Sequence, residues 1–335
     1  MLFIFRRLIH LLGSLSYLTF RKIFYQILIF IRYYFGADKV LKYSGPVFIS
    51  VEPTDFCQLR CPQCPVGMAA RNKGALVEDK VVFDTLTELK KSLIQVIFYF
   101  QGEPLLNPRL NEYIRFAHEA GIYTSTSTNA MLLNSDNARK LVESGLDKLI
   151  VSVDGATQEV YEQYRKGGKL ERALDGIRFV QEWKQKLGSR TPFVEMQFIV
   201  FGTNEHQISD VKKLAKSSGA DNLTLKTAQI YDFEKPNPLH TNLSRYSRYR
   251  KQLDGSYVLK NPLKNRCRRV ISGAVLNVKG EVLPCCFDKG SEFSYGSVTD
   301  ADFMTLWQIK KATDFRKAVY TNRKQFEMCR NCTEK

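Results

Sequence analysis

Cys57, Cys61 and Cys64 are spaced CxxxCxxC directly after an apolar, strand-like run from Val47 to Val51. Thiolates gathered at such short spacing select soft transition metals. A [4Fe–4S] cubane has four irons, so three thiolates leave one iron open to bind and activate a ligand, whereas an electron carrier saturates all four. A zinc knuckle is the competing reading, because CxxC pairs recur in zinc sites. About 40 residues further on, Gly102-Glu103-Pro104 closes a second strand-like run, Gln95 to Phe100. By itself the tripeptide reads as an ordinary turn.

The triplet and the turn that follows it resemble the radical S-adenosylmethionine (SAM) superfamily. The resemblance implies that Cys57, Cys61 and Cys64 hold a [4Fe–4S] cluster whose open iron chelates SAM, with reductive cleavage giving a 5′-deoxyadenosyl radical that abstracts hydrogen from C–H bonds. It also implies that Gly102, Glu103 and Pro104 receive the SAM ammonium. Two positions depart from the family pattern: Gln63 stands where an aromatic or apolar residue packs near the adenine, and Gln101 stands for the first glycine of the turn. Neither removes a ligand, and Phe56 or Phe100 could fill the adenine's surroundings.

A second group of cysteines lies near the C-terminus: Cys267, Cys285, Cys286, Cys329 and Cys332. Cys267, twelve residues, Gly280, four residues, Cys285 is similar to the opening of the SPASM extension of many radical SAM enzymes, with Gly280 turning a hairpin between strands at 274–278 and 281–284. By that resemblance Cys267, Cys285, Cys329 and Cys332 saturate one auxiliary [4Fe–4S] cluster, the shortened version called a twitch domain. Cys286 is left over, either a buried thiol or a competitor of Cys285. A four-cysteine zinc ribbon is the alternative.

The elements that must position these groups follow from periodicity. Six β-rich runs, at 47–53, 95–100, 121–128, 148–154, 193–201 and 222–230, alternate with amphipathic helical patterns such as Phe83 to Leu93 and Leu170 to Leu187. Six βα units are too few for a closed eight-stranded barrel. They match a partial (β/α)6 TIM-type radical SAM barrel, followed by a small C-terminal α+β iron–sulfur extension. Thr128, Asn129, Ser152, Asp154 and Gln197 then fall at or near strand ends, and the resemblance carries SAM ribose and carboxylate contacts onto Asn129, Ser152 and Arg165. Capping and turn chemistry is the plain alternative at each. The expected organisation is an N-terminal segment at 1–44, a radical SAM core at 45–235, a Pro-containing linker or loop at 236–266, and an auxiliary-cluster domain at 267–335.

Composition sets bounds. The chain has 335 residues, 44% hydrophobic and 25% charged, enough for a full core, and a formal net charge of +16. Eight cysteines at metal-ligand spacings, with no secretory cleavage pattern, favour a reducing cytoplasm over disulfides. The four histidines form no HExxH or triad pattern, so zinc hydrolysis and triad catalysis have little material. Basic runs at Arg245 to Lys251 and Lys264 to Arg269 read as solvated faces, with RNA binding the alternative. Met1 to Phe35 carries Arg6, Arg7, Arg21, Lys22 and Arg32 and no acidic residue among Leu, Ile, Phe and Tyr. Its uncharged stretches fall short of the roughly 20 residues of a spanning helix. It reads as an amphipathic in-plane anchor for an anionic cytoplasmic membrane surface, against a helical hairpin whose apolar face packs on the core.

The expected activity is that of a radical SAM oxidoreductase in which the auxiliary cluster accepts the substrate's electron, on a small-molecule, sugar-like or membrane-linked substrate. An external flavodoxin or ferredoxin would supply the electron. Peptide maturation, RNA modification and a non-catalytic iron–sulfur or zinc protein are the alternatives. Only 46 residues precede the first strand, fewer than the leader-binding domain of many peptide maturases takes, which leans the reading away from peptides.

Overall fold

The computed structural model describes residues 2–36, 44–69, 74–261 and 263–333. Met1 and 37–43 of the expected N-terminal segment, Pro262 of the expected linker and the last two residues lie outside them. The chain divides into two compact units. One comprises Met1–Leu12, Phe56–Lys73 and Thr126–Pro262, the other Gly13–Asp55, Gly74–Ser125 and Leu263–Lys335.

Six strands fall inside the six runs read from the sequence: β1 Phe48–Val51, β2 Gln95–Ile97, β3 Tyr123–Thr128, β4 Lys148–Ser152, β5 Phe193–Val200 and β6 Asn222–Thr227. β1 pairs parallel with β2, β2 with β3, β4 with β5 and β5 with β6. Parallel neighbours need crossovers, and helices supply them. Helices α1 Leu2–Ser14 and α2 Phe20–Phe35 precede β1. The short α3 Pro65–Met68 follows the first cysteines, α4 is Asp79–Leu89, and α5 Leu110–Glu119 joins β2 to β3. Next come α6 Ser135–Glu143, α7 Gln158–Tyr164, α8 Leu170–Lys186 and α9 Ile208–Ser217. Asn134 caps α6 by accepting the Asn137 N–H at 2.9 Å, and Thr157 caps α7. Strand residues such as Val151, Met196 and Phe198 are fully buried, as sheets covered on both faces require. Strand β6 has no second strand neighbour among the described residues, so the sheet is open at that edge.

The C-terminal segment carries α10 Arg268–Ser272, β9 Gly273–Leu276, β10 Val282–Leu283, α11 Phe303–Gln308, α12 Lys310–Asn322 and α13 Glu327–Arg330. The expected hairpin is present: β9 and β10 pair antiparallel, and Gly280 turns between them with φ +77°, a conformation that costs glycine little. Sequence reading missed what β9 does next. It pairs parallel with β1, Phe48 opposite Gly273 through Val51 opposite Leu276, so the extension continues the sheet in which β1 lies.

Two further expectations change. The stretch 236–266, read as a linker or loop, contains an antiparallel hairpin of β7 Tyr249–Lys251 and β8 Tyr257–Leu259. Tyr249, one of the tyrosines interleaved in a basic run, is buried and its hydroxyl accepts the Ile230 N–H at 2.9 Å, so it is core and no stacking platform. Of the N-terminal helices, α2 docks by a mixed face on which Tyr25, Leu28 and Ile29 are buried beside two cations. In one unit Arg6 meets the Asp221 carboxylate at 3.3 Å and His10 stacks on Phe193 at 4.4 Å. In the other, Lys22 and Arg32 of α2 are buried.

Candidate active site

The cysteine loop is braced on three sides within its unit. The Arg60 N–H donates to the Lys166 carbonyl at 3.1 Å, and the Gln63 side chain accepts the Tyr231 N–H at 2.8 Å. Gly67 of α3 lies so close that a Cβ there would meet the Cys61 nitrogen at 2.6 Å, so only glycine lets α3 pack on the loop. Gln63 is therefore a brace for the loop after β6. Cys61 is buried with Leu59, Tyr164, Phe201, Ile230 and Tyr249, and Cys57 and Cys64 pack against the same cluster.

The polar groups around these thiols are specific. Asn129, one residue past the end of β3, donates Nδ2–H to the Cys57 sulfur at 3.5 Å, and the Leu59 N–H points to the same sulfur at 3.5 Å. The other end of the Asn129 amide accepts from Gln58 Nε2 at 3.2 Å and from the Met131 N–H at 3.0 Å, which fixes which end faces sulfur. Burial pushes the Cys61 thiol up, opposed by the Arg165 guanidinium beside it. Arg165 caps α7 and donates Nε–H to Asp154 at 2.6 Å, while Asp154, fully buried, accepts the Ile199 N–H at 2.7 Å. Burial opposes the Arg165 charge, yet Asp154 and Cys61 outweigh it and hold the guanidinium well above its ordinary value. Asn129 and Arg165 are thus brought to the thiols. Ser152 is buried at the end of β4, opposite Gln197 in the register.

In the other unit, Glu103 is buried and its carboxylate accepts the Leu105 N–H at 3.3 Å, capping a single 3₁₀ turn at Pro104–Leu106. Gln101 donates Nε2–H to the Lys289 carbonyl at 3.1 Å, and the Lys289 ammonium lies 4.1 Å from the Phe100 ring centre. Glu52, one residue past β1, is 2% exposed and accepts the Val278 N–H at 3.1 Å. Burial pushes its carboxyl up from 4.5 to about 7, with the Val278 N–H and the Lys289 charge pulling the other way. Sequence reading passed over Glu52; a lone charged residue following a buried apolar strand was the available signal.

All four expected auxiliary cysteines lie in this unit, and Cys267, Cys329 and Cys332 are buried. Arg323, 1% exposed, donates Nη2–H to the Cys332 sulfur at 3.1 Å and Nη1–H to the Arg266 carbonyl at 2.9 Å. Burial works against its charge, but Cys267, Cys332 and Cys329 together raise it. No spacing in the sequence marks Arg323. The Cys285 sulfur accepts the Phe287 N–H at 3.3 Å, and its thiol is pushed well up by Cys286 and by burial, with a further contribution from Cys267. Cys286 instead meets the Arg269 guanidinium at 3.8 Å. Cys285 and Cys286 border a cavity of about 150 Å³ whose wall includes Ser50, Tyr99, Phe100 and Arg269.

Two family comparisons match this chain: the radical SAM superfamily over residues 51–215, and the SPASM iron–sulfur cluster-binding domain over residues 267–333. The chain belongs to the radical SAM superfamily. It is 25% identical over 260 residues to a PqqA peptide cyclase of Rhodopseudomonas palustris, covering 72% of this chain and 67% of that protein. It is 24% identical over 310 residues to an AdoMet-dependent heme synthase of Oleidesulfovibrio alaskensis, covering 80% and 76%. Among solved structures it resembles BtrN in complex with AdoMet and 2-DOIA, with a TM-score of 0.53 at 19% identity, covering 87% of this chain and 94% of that one. The protein is a radical SAM enzyme with a SPASM-type extension, and its cofactors are [4Fe–4S] clusters and SAM.

The sulfur environments suit the radical SAM assignment. None of the eight cysteines is joined in a disulfide. Among the described residues no three His, Cys, Asp or Glu side chains close round a single metal ion. A cubane puts its thiolates on separate irons and so needs no such tight convergence. Thiolates bound to iron are stabilised by N–H donors and nearby cations, and Asn129, Leu59 and Arg165 at one set of thiols and Arg323 at the other supply them.

Proposed function

We propose that this chain is a radical SAM oxidoreductase that takes a hydrogen atom from a small-molecule, sugar-like or membrane-linked substrate and passes the resulting electron to an auxiliary cluster. With SAM bound, a cluster at the first thiols supplies the 5′-deoxyadenosyl radical for that step. Cys57, Cys61 and Cys64 hold the cluster in an apolar, aromatic setting that limits water. Asn129 and the Leu59 N–H offset charge on Cys57, and Arg165 does so beside Cys61. Glu103 receives the SAM ammonium. Ser152 contributes to the ribose site. Cys267, Cys285, Cys329 and Cys332 hold the second cluster, and full coordination by thiolates suits it to accept an electron. The cavity beside Cys285 and Cys286 offers a place for part of the substrate. A flavodoxin or ferredoxin supplies the first electron, and the enzyme works on the inner face of a membrane.

The observation that carries the reading is the meeting of three cysteines in one apolar cluster with an amide donor on Cys57 and a guanidinium beside Cys61. Peptide modification is the second reading, favoured by the similarity to a PqqA peptide cyclase. Anaerobic reconstitution tests the proposal: about eight irons per chain and reductive SAM cleavage are expected. Changing Cys57, Cys61 and Cys64 together to Ala should halve the iron and abolish cleavage. Tight zinc binding with no iron uptake would sink it.

A further inference from the structure

Helix α2 packs on the protein by a mixed face, with Tyr25, Leu28 and Ile29 buried beside Lys22 and Arg32. These two cations are engaged there: Lys22 donates to the Gly121 carbonyl at 2.6 Å, and the Arg32 guanidinium stacks 3.9 Å from the Tyr320 ring centre. A second row of large apolar side chains faces out. Phe20 is 88% exposed and Phe35 75%, and between them Ile23, Phe24, Ile27 and Phe30 are exposed at helical spacing. The same helix borders a groove of about 640 Å³ lined by Ile23, Ile27, Phe30 and Tyr34, with Arg268 at its edge. Arg268 is exposed and donates to Gln26 at 3.1 Å; Arg21 is exposed and donates Nε–H to the Tyr25 hydroxyl at 2.9 Å.

A continuous apolar stripe of this kind marks an interaction surface. Its chemistry selects the partner. Protein interfaces carry about one hydrogen bond per 100–200 Å², and the outward positions Phe20, Ile23, Phe24, Ile27 and Phe30 offer no side-chain donor or acceptor, which suits hydrocarbon. The exposed guanidiniums of Arg21 and Arg268, on a chain of formal charge +16, complement anionic headgroups. No helix among the described residues is long and apolar enough to cross a membrane, and α2 has 16 residues, a length that fits lying in the interface.

We propose that α2 is an in-plane docking surface for an anionic phospholipid bilayer, its stripe entering the acyl region and Arg21 and Arg268 meeting lipid phosphates. The inference rests only on the membrane part of the reading above and needs none of the radical chemistry. It differs from a simple cationic anchor, because Lys22 and Arg32 are spent on the protein and apolar insertion becomes the main contribution.

The test is co-sedimentation of the full chain with phosphatidylcholine vesicles and with vesicles containing phosphatidylglycerol. The wild-type chain should bind both and prefer the anionic ones. Phe24→Asp with Ile27→Asp should weaken binding to both by at least about tenfold. Arg21→Gln with Arg268→Gln should weaken only the anionic preference, by about thirtyfold. Should the first pair impair folding, judged by circular dichroism, Phe20→Asp at the exposed start of the helix serves the same purpose. SAM cleavage in vesicle-free solution should be unchanged in every variant. Its absence in the wild-type chain would count against the enzymatic reading and leave this one standing. Equal sedimentation of the apolar variants and wild type overturns the proposal. So does a wild-type chain that binds neither vesicle, or one that forms a dimer which the apolar variants dissolve.

Discussion

The side-chain amide of Asn129 points its nitrogen at the sulfur of Cys57 from 3.5 Å, and two hydrogen bonds at its oxygen keep it from flipping. A donor aimed at a sulfur stabilises the more reduced, more negative state of an iron–sulfur cluster. On the proposed reading, Asn129 would set a potential as well as closing a turn.

Replacing Asn129 with Ala should make the potential of the first cluster more negative. A lost neutral hydrogen bond of about 1 kcal/mol corresponds to a shift of about 40 mV for one electron. Redox titration followed by electron paramagnetic resonance measures it. An unchanged potential with full iron content would reduce Asn129 to a turn residue.

Glu52 gives a pH signature. Its carboxyl is raised from 4.5 to about 7, chiefly by burial, so the folded state favours the protonated form. The unfolded state binds fewer protons than the folded one between these values, and stability falls as pH rises from 4.5 to about 7. Above that window the charged group costs on the order of 3 kcal/mol. Glu52→Gln keeps an acceptor for the Val278 N–H and cannot ionise. The variant should match wild type in anaerobic thermal unfolding at pH 5 and exceed it at pH 8. Equal midpoints at both values would show that Glu52 ionises freely.

The adjacent thiols should behave differently. Cys285 shares a field with Cys267, whereas Cys286 faces Arg269. Cys285→Ala should cost the auxiliary cluster, about four irons per chain. Cys286→Ala should keep them. Arg323→Met should behave like Cys285→Ala, because it removes the buried cation shared by Cys267, Cys329 and Cys332. Iron and sulfide analysis with Mössbauer spectroscopy separates these outcomes, and loss of iron on removing Cys286 would exchange the two roles.

What was legible in the sequence was short-range. CxxxCxxC, the glycine turn at Gly280 and the alternation of six strands with helices are all read within windows of a few residues, and periodicity locates them. The partners of these features are long-range and carry no spacing. Nothing in the sequence ties Arg323 to Cys267 through the fold, or Asn129 to Cys57, or Gln63 to Tyr231. Strand β9 looked like half of a hairpin, and it is; its second partner, β1, lies at the far end of the chain. Helix α2 shows a different limit. Periodicity finds an apolar face and a basic face but not that the inward side mixes the two, with Leu28 and Ile29 buried beside Lys22 and Arg32; long cations with flexible stems can be buried when carbonyls and aromatic rings await them.

The parallel pairing of β1 with β9 has a consequence for how the chain is made. During synthesis β1 emerges early, and the strand that covers one of its edges emerges only when most of the protein has been translated. At bacterial and eukaryotic elongation rates the gap is on the order of 10 to 40 s. For that time the nascent chain carries an open edge of buried-type residues, a template for unwanted pairing. Cys57, Cys61 and Cys64 follow β1 closely in the sequence, so the first thiols are translated with the open strand and long before the strand that completes its edge.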